Sequence, residues 1–199
     1  MSSLYDFPIK ELKDKYNLEV MIETGTFEGK SINCALDAAI DTIISCDVQD
    51  YFERMPIRPE FTKDENVHLY IGRSMECLPN MLGEAGDKNC LIFLDAHCDP
   101  KLFREFKEDT DDGDPVPMFK ELSLILEHRD VSKDVIIIDD IHLYVQEVVV
   151  QRYDGWATKL PPIEFQTVNE MKNAVLKKLP NHNLEIIKVH DAALLMTPK

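Results

Sequence analysis

The sequence has no apolar run approaching the roughly 18 residues that a membrane-crossing helix needs. Its first residues, MSSLYDFPIKELKDKY, lack a basic segment followed by an apolar one, so no secretory signal is read there and a cytoplasmic location is expected. Positive charge is scarce: 22 Lys and Arg stand against 37 Asp and Glu, a formal net charge of −15. A polyanion repels other polyanions, so the chain is a poor candidate for non-specific nucleic-acid binding. A small cationic ligand or a divalent metal suits this balance better. The five cysteines (Cys34, Cys46, Cys77, Cys90 and Cys98) are odd in number and form no CxxC pair. Cys34, Cys46 and Cys90 fall in apolar periodic segments and read as reduced core residues. There is no internal repeat. One biased stretch, EDTDDGD at 108–114, is followed by Pro115 and Pro117 and reads as an exposed loop.

What is present is an ordinary globular composition, 44% hydrophobic and 30% charged over 199 residues. That excludes a mostly disordered chain and suits a single domain over residues 1–199. Two periods alternate along it. Apolar runs at 18–23, 41–47, 67–72, 89–95 and 134–140 predict five buried strands. Apolar residues at helical spacing predict the helices between them: Ile32, Leu36 and Ile40; Met75, Leu78 and Leu82; Met118, Leu122, Ile125 and Leu126; Val168, Met171, Val175 and Leu179. Ile9, Leu12 and Tyr16 predict one more helix ahead of the first strand, with Pro8 near its first turn. The end of the chain carries two further strands, at 184–189 and 193–197, too close in sequence for a crossover helix.

Strands apolar on both faces and alternating with helices imply a parallel sheet covered on both sides. The expected fold is therefore an α/β doubly wound Rossmann-like sandwich, a mostly parallel seven-stranded sheet closed by a C-terminal antiparallel hairpin.

Ligands of open parallel sheets bind beyond the carboxyl ends of the strands. The strands end at Glu23, Asp47, Gly72, Asp95 and Asp139 with Asp140, so four of five end in carboxylates. The first loop runs Glu23-Thr24-Gly25-Thr26-Phe27-Glu28-Gly29-Lys30-Ser31. Its glycines allow a tight turn and close approach of a ligand to backbone. Their spacing fits neither GxGxxG nor a P-loop, and Glu23 suits a cationic amino group better than a phosphate; a plain strand-to-helix turn is the other reading. Asp47 is placed to accept hydrogen bonds from ribose hydroxyls, or is a solvated strand end. Asp95 and His97 in LDAH, with Asp139, Asp140 and His142 in IDDIH, suit a divalent metal such as Mg²⁺ or Mn²⁺, or else form an acidic rim near helix N-termini.

Glu23-x-Gly25-x-x-x-Gly29, Asp47, LDAH and IIIDD, in this order, resemble class I S-adenosylmethionine-dependent methyltransferases, and within them the macrocin-type sugar O-methyltransferases. The resemblance covers about residues 18–144. It implies that Glu23, Gly25 and Gly29 flank the methionine part of the donor, with Thr24, Thr26 and Ser31 of the same loop also among the donor-binding residues. It implies that Asp47 binds the donor's ribose, that Ser74 and Met75 lie near its adenine, and that Asp95 lines the donor site. Asp95, Asp139 and Asp140 would bind Mg or Mn. Macrocin-type enzymes usually read Asp-Gly-Asp where this chain has Asp95-Ala96-His97, and Arg73 stands where many methyltransferases have an acidic residue. The implied reaction is metal-assisted methyl transfer to a hydroxyl of a sugar or glycan.

A hydroxyl polarised by a metal would lose its proton to Asp95 or to His97, whose ordinary pKa suits that role. His142 and the loop carrying Arg152, Tyr153 and Trp156, the only tryptophan, are the candidate acceptor-binding residues, since aromatics stack on flat apolar faces. The expected partners are thus a small-molecule donor and a sugar or glycan acceptor, with neither nucleic acid nor membrane, and with oligomeric state left open. Two other classes compete. One is a metal-dependent hydrolase or phosphoryl-transfer protein built on the aspartates, which lacks a cation at the strand ends except Arg73. The other is a non-catalytic binding module on the same sheet.

Overall fold

The computed structural model describes residues 4–54, 59–96, 117–141, 145, 165–187 and 193–199. Its centre is a seven-stranded sheet: β1 (Val20–Thr24), β2 (Thr42–Asp47), β3 (Val67–Ile71), β4 (Cys90–Leu94), β5 (Val135–Ile138), β6 (His182–Ile187) and β7 (Ala193–Pro198). Their order across the sheet is β3-β2-β1-β4-β5-β7-β6. The first five strands pair in parallel, and β7 runs antiparallel between β5 and β6. This is the doubly wound sheet with a closing hairpin that the sequence predicts.

Helices α1 (Ile9–Tyr16) and α2 (Lys30–Asp37) cover one face, and α3 (Ser74–Ala85), α4 (Met118–His128) and α5 (Val168–Lys178) cover the other. The strands alternate between two cores. Met21, Ile43, Leu91 and Ile137 face α1 and α2, while Ile22, Ile44, Ile92 and Ile138 face α3, α4 and α5. Each core excludes water from a full sheet face, which is why these strands carry apolar residues at consecutive positions. No helix of the described residues is long and apolar enough to cross a membrane. Cys34, Cys46, Cys77 and Cys90 are buried, unbridged thiols. Cys98 and the acidic stretch 108–114 lie outside the described residues.

Three details depart from expectation. Helix α2 stops at Asp37 rather than reaching Ile40. Ala38 closes it with an N–H to the Cys34 carbonyl, and Ala39 takes a left-handed φ of 58°. Ile40 keeps the helical rhythm in the sequence because it is buried in the same core. Strand β3 is not fully buried: it is the sheet's edge, and its last residue, Ile71, is exposed. Strand β6 begins at His182, two residues before the expected Leu184 and on the same side of the hairpin.

Candidate functional site

The parallel ladder continues one residue past the strands and sets their ends in a row. Gly72 N–H donates to the Asp47 carbonyl (2.9 Å), Asp95 N–H to Thr24 (3.0 Å) and Asp139 N–H to Leu94 (3.0 Å), while Gly25 and Thr26 N–H share the Cys46 carbonyl (2.8 and 3.1 Å). The strand order reverses between β1 and β4, and in such sheets the crevice opens at that point. The first loop and Asp95 stand on either side of it.

Gly25 has φ of +90°, and a Cβ there would lie 2.6 Å from the Asp95 carbonyl oxygen. Only glycine allows both the conformation and the approach of the two backbones. Gly29, at φ of +72°, closes the turn with its N–H on the Thr26 carbonyl (2.8 Å) and would meet the Phe61 ring if it carried a side chain. Phe27 is held at φ of 43° by an N–H donated to Asp47 Oδ2 (2.8 Å). Asp47 also accepts from Gln49 N–H (3.4 Å). Burial pushes the Asp47 pKa up, opposed by the backbone N–H groups of Phe27, Gln49 and Val48. A carboxylate has lone-pair capacity beyond these backbone bonds, and Asp47 is only partly buried, so it can accept a further hydrogen bond from a ligand.

Glu23 faces the α2 side of the sheet and is fully buried. Ser31 at the start of α2 donates to its Oε1, and Ser45 of β2 donates to its Oε2 (2.5 Å). The Thr26 and Ser45 hydroxyls lie 2.6 Å apart. Burial raises the Glu23 pKa to about 8; the two serines oppose the shift, and the Asp95 and Asp47 charges add to it. A carboxyl at the end of β1 was legible in the sequence. That its oxygens serve two serines beneath the loop was not.

On the other face, the Thr24 hydroxyl donates to Glu121 Oε2 of α4 (3.4 Å), and Cys46 hydrogen-bonds Cys77 in the first turn of α3. Ser74 is buried and Met75 half-buried at the start of that helix, directly after the end of β3. Sequence reasoning missed Ser45 and Glu121. Their signal was a polar residue inside an apolar strand and a carboxylate beside Leu122 in the apolar stripe of a helix. It also missed the apolar rim: Phe27, Val48 and Ile71 are exposed at the ends of β1, β2 and β3.

The expected metal ligands Asp95, Asp139 and Asp140 are not gathered into a binding group. Among the described residues, no three His, Cys, Asp or Glu side chains are placed to hold a metal ion. Asp139 turns its carboxyl onto the N–H of Asp140 (2.7 Å), and Asp140, at φ of 49°, breaks the extended line of β5. Both are buried, whereas Asp95 is partly exposed at the crevice. His97, His142, Arg152, Tyr153 and Trp156 lie outside the described residues.

No family model matches the sequence, and no curated protein matches it either. Solved structures do match its fold. A methyltransferase of Podospora anserina, solved with SAH bound, superposes on 100% of this chain and 80% of its own at a TM-score of 0.60 and 16% identity. The O-methyltransferase TomG of Streptomyces achromogenes, involved in tomaymycin synthesis and solved in complex with S-adenosylmethionine, covers 96% of this chain and 78% of its own at 0.57 and 17%. A methyltransferase of Geobacter sulfurreducens covers 100% and 80% at 0.56 and 11%. At such identities the likeness is one of fold. The chain has the seven-stranded Rossmann-like fold of S-adenosylmethionine-dependent methyltransferases.

Proposed function

We propose that the chain is an S-adenosylmethionine-dependent O-methyltransferase acting on a hydroxyl of a sugar or glycan. The observation that carries the donor reading is the Gly25 turn seated on the Asp95 backbone at the switch point, with the Asp47 carboxylate beside it. The residues fit such a donor. Asp47 accepts from the ribose hydroxyls, exposed Val48 and Ile71 flank the adenine together with Ser74 and Met75, and the Gly25–Thr26 turn lies along the methionine part. The fold neighbours solved with SAH or S-adenosylmethionine support the same donor.

The bound donor supplies a methyl group already activated on a sulfonium, so the protein's task is alignment and exclusion of water. In this reading Asp95, partly exposed at the crevice, takes the acceptor's proton, and His97, two residues on, is the second candidate. Among the described residues no three His, Cys, Asp or Glu side chains are placed to hold Mg²⁺ or Mn²⁺, and in this reading a side chain removes the proton. The sugar reading rests on the resemblance of the ordered motifs to macrocin-type enzymes. His142, Arg152, Tyr153 and Trp156 are the residues proposed to meet the acceptor.

Calorimetry with S-adenosylmethionine tests the donor. Micromolar binding is expected, weakened about tenfold or more by Asp47→Ala, since hydrogen bonds to a charged group are lost. Asp47→Asn, which keeps an acceptor for Phe27, should bind between the two. Absence of binding to the wild-type chain overturns the proposal. Transfer of a labelled methyl to catechols but to no sugar hydroxyl would overturn the acceptor class alone.

A further inference from the structure

Beneath the first loop, four side chains form one hydrogen-bonded chain: Ser31 to Glu23, Ser45 to Glu23, and Thr26 to Ser45. Glu23 is fully enclosed, so its carboxyl reaches a ligand only through these hydroxyls. Proton counting then constrains the chain. Three contacts need three protons. When Glu23 is ionised, the three hydroxyls supply all of them, every proton points inward, and Thr26 offers only lone pairs to the site. When Glu23 carries a proton there are four for three contacts. Glu23 then donates to Ser45, Ser45 donates to Thr26, and the Thr26 proton is released outward. The alternative route through Ser31 frees a proton on α2 instead. The two routes differ in the hydroxyl whose proton turns outward, Thr26 in the loop or Ser31 in the first turn of α2.

The charges bearing on Glu23 are Asp95 beyond β4 and Asp47 of β2, and both favour the protonated form; from α2 the group facing it is Ser31. Thr26 itself is nearly buried and sits next to Gly25, at the switch point of the sheet. We propose that Thr26 is a donor-positioning residue whose hydroxyl donates to the carboxylate of the ligand's methionine part when Glu23 holds a proton, the order being passed through Ser45. This rests on the donor reading above and adds to it a direction of hydrogen bonding and a pH dependence.

S-adenosylhomocysteine, which shares the amino-acid end and lacks the reactive sulfonium, is the probe, titrated calorimetrically at pH values from about 7 to 9. With Glu23 titrating near 8, the wild-type chain loses about tenfold in affinity across that range. The ligand's own amino group adds the same slope to every variant. Glu23→Gln, whose amide can donate at any pH, should therefore show only that common slope. Thr26→Val should bind about tenfold more weakly at pH 7 and lose the extra slope, and Thr26→Ser should restore both. Ser45→Ala breaks the chain without touching the carboxyl and should also lose the extra slope, which keeps the test open if Glu23→Gln does not fold. Equal slopes in the wild-type chain and the chain-breaking variants, or Thr26→Val binding as the wild type does at pH 7, overturn the inference and leave the donor reading standing. No binding by the wild-type chain at any pH overturns both.

Discussion

Gly25 stands where two strand ends meet, and the space for its side chain is already taken by the Asp95 carbonyl. Gly25→Ala is expected to cost at least about 1 kcal/mol, because the φ of +90° is strained for alanine and the added carbon must push the loop off β4. Donor affinity should fall with it, since the same displacement opens the crevice. Thermal melts and calorimetry on one preparation check this; a variant with wild-type stability and affinity would mean that the loop moves freely. Glu23 gives a second prediction. Its pKa rises on folding from the ordinary 4.5 to about 8 through burial, so the folded chain binds more protons than the unfolded one in that window. Stability from this group is therefore fully present below about pH 4.5 and is lost as pH rises through about 8. Glu23→Gln should flatten the fall of the melting temperature over this window; curves parallel to wild type would show that Glu23 does not titrate there. The candidate carboxylates Glu23, Asp47 and Asp95 were legible because each ends an apolar run. The partners of Glu23 were not, because Ser31 and Ser45 come from a helix and a neighbouring strand that meet it only in the folded chain.

Among the elements, the edge of the sheet opposite the site is held by a different polar cluster. Arg129, just after α4, pairs through Nε with Asp134 Oδ2 (2.6 Å) and donates to the Gly86 and Lys88 carbonyls. Asp134 also accepts from Cys90 N–H (2.8 Å), so one ion pair joins the end of α3, the start of β4 and the start of β5. Both side chains are nearly buried. Removing one partner strands the other charge, so Arg129→Ala should destabilise by roughly 3 kcal/mol. Because the pair lies at the far end of the strands, donor affinity measured well below the melting temperature should stay close to wild type. A variant of unchanged stability, or one that loses donor affinity while folded, would contradict this division between the two edges. The helices and strands were read from periodicity, and the limits of that reading are physical. Ile40 is buried like a helical residue although α2 has already ended, and β3 is apolar like an inner strand although it lies at the edge.

For the molecule as a whole, 22 basic against 37 acidic residues leave a self-repelling surface. Screening weakens that repulsion within a Debye length of about 8 Å at physiological salt. The melting temperature should therefore rise as sodium chloride is added from low ionic strength to about 0.2 M, then level off. A fall over the same range would mean that attractive surface pairs outweigh the excess charge. The sequence by itself determined the sheet, its mostly parallel sense, the closing hairpin and the carboxylates at the strand ends. It did so because water is excluded from whole strand faces, which writes each strand as an apolar run with its polar end at the edge. Only the tertiary structure decided how each of those carboxylates is surrounded. Asp47 stays partly open beside the loop, Glu23 is enclosed by serines, and Asp139 turns its carboxyl onto the N–H of Asp140, with no three such side chains among the described residues placed to hold a metal ion. Those outcomes depend on φ angles and on contacts between residues far apart in the chain, and neither is encoded in spacing.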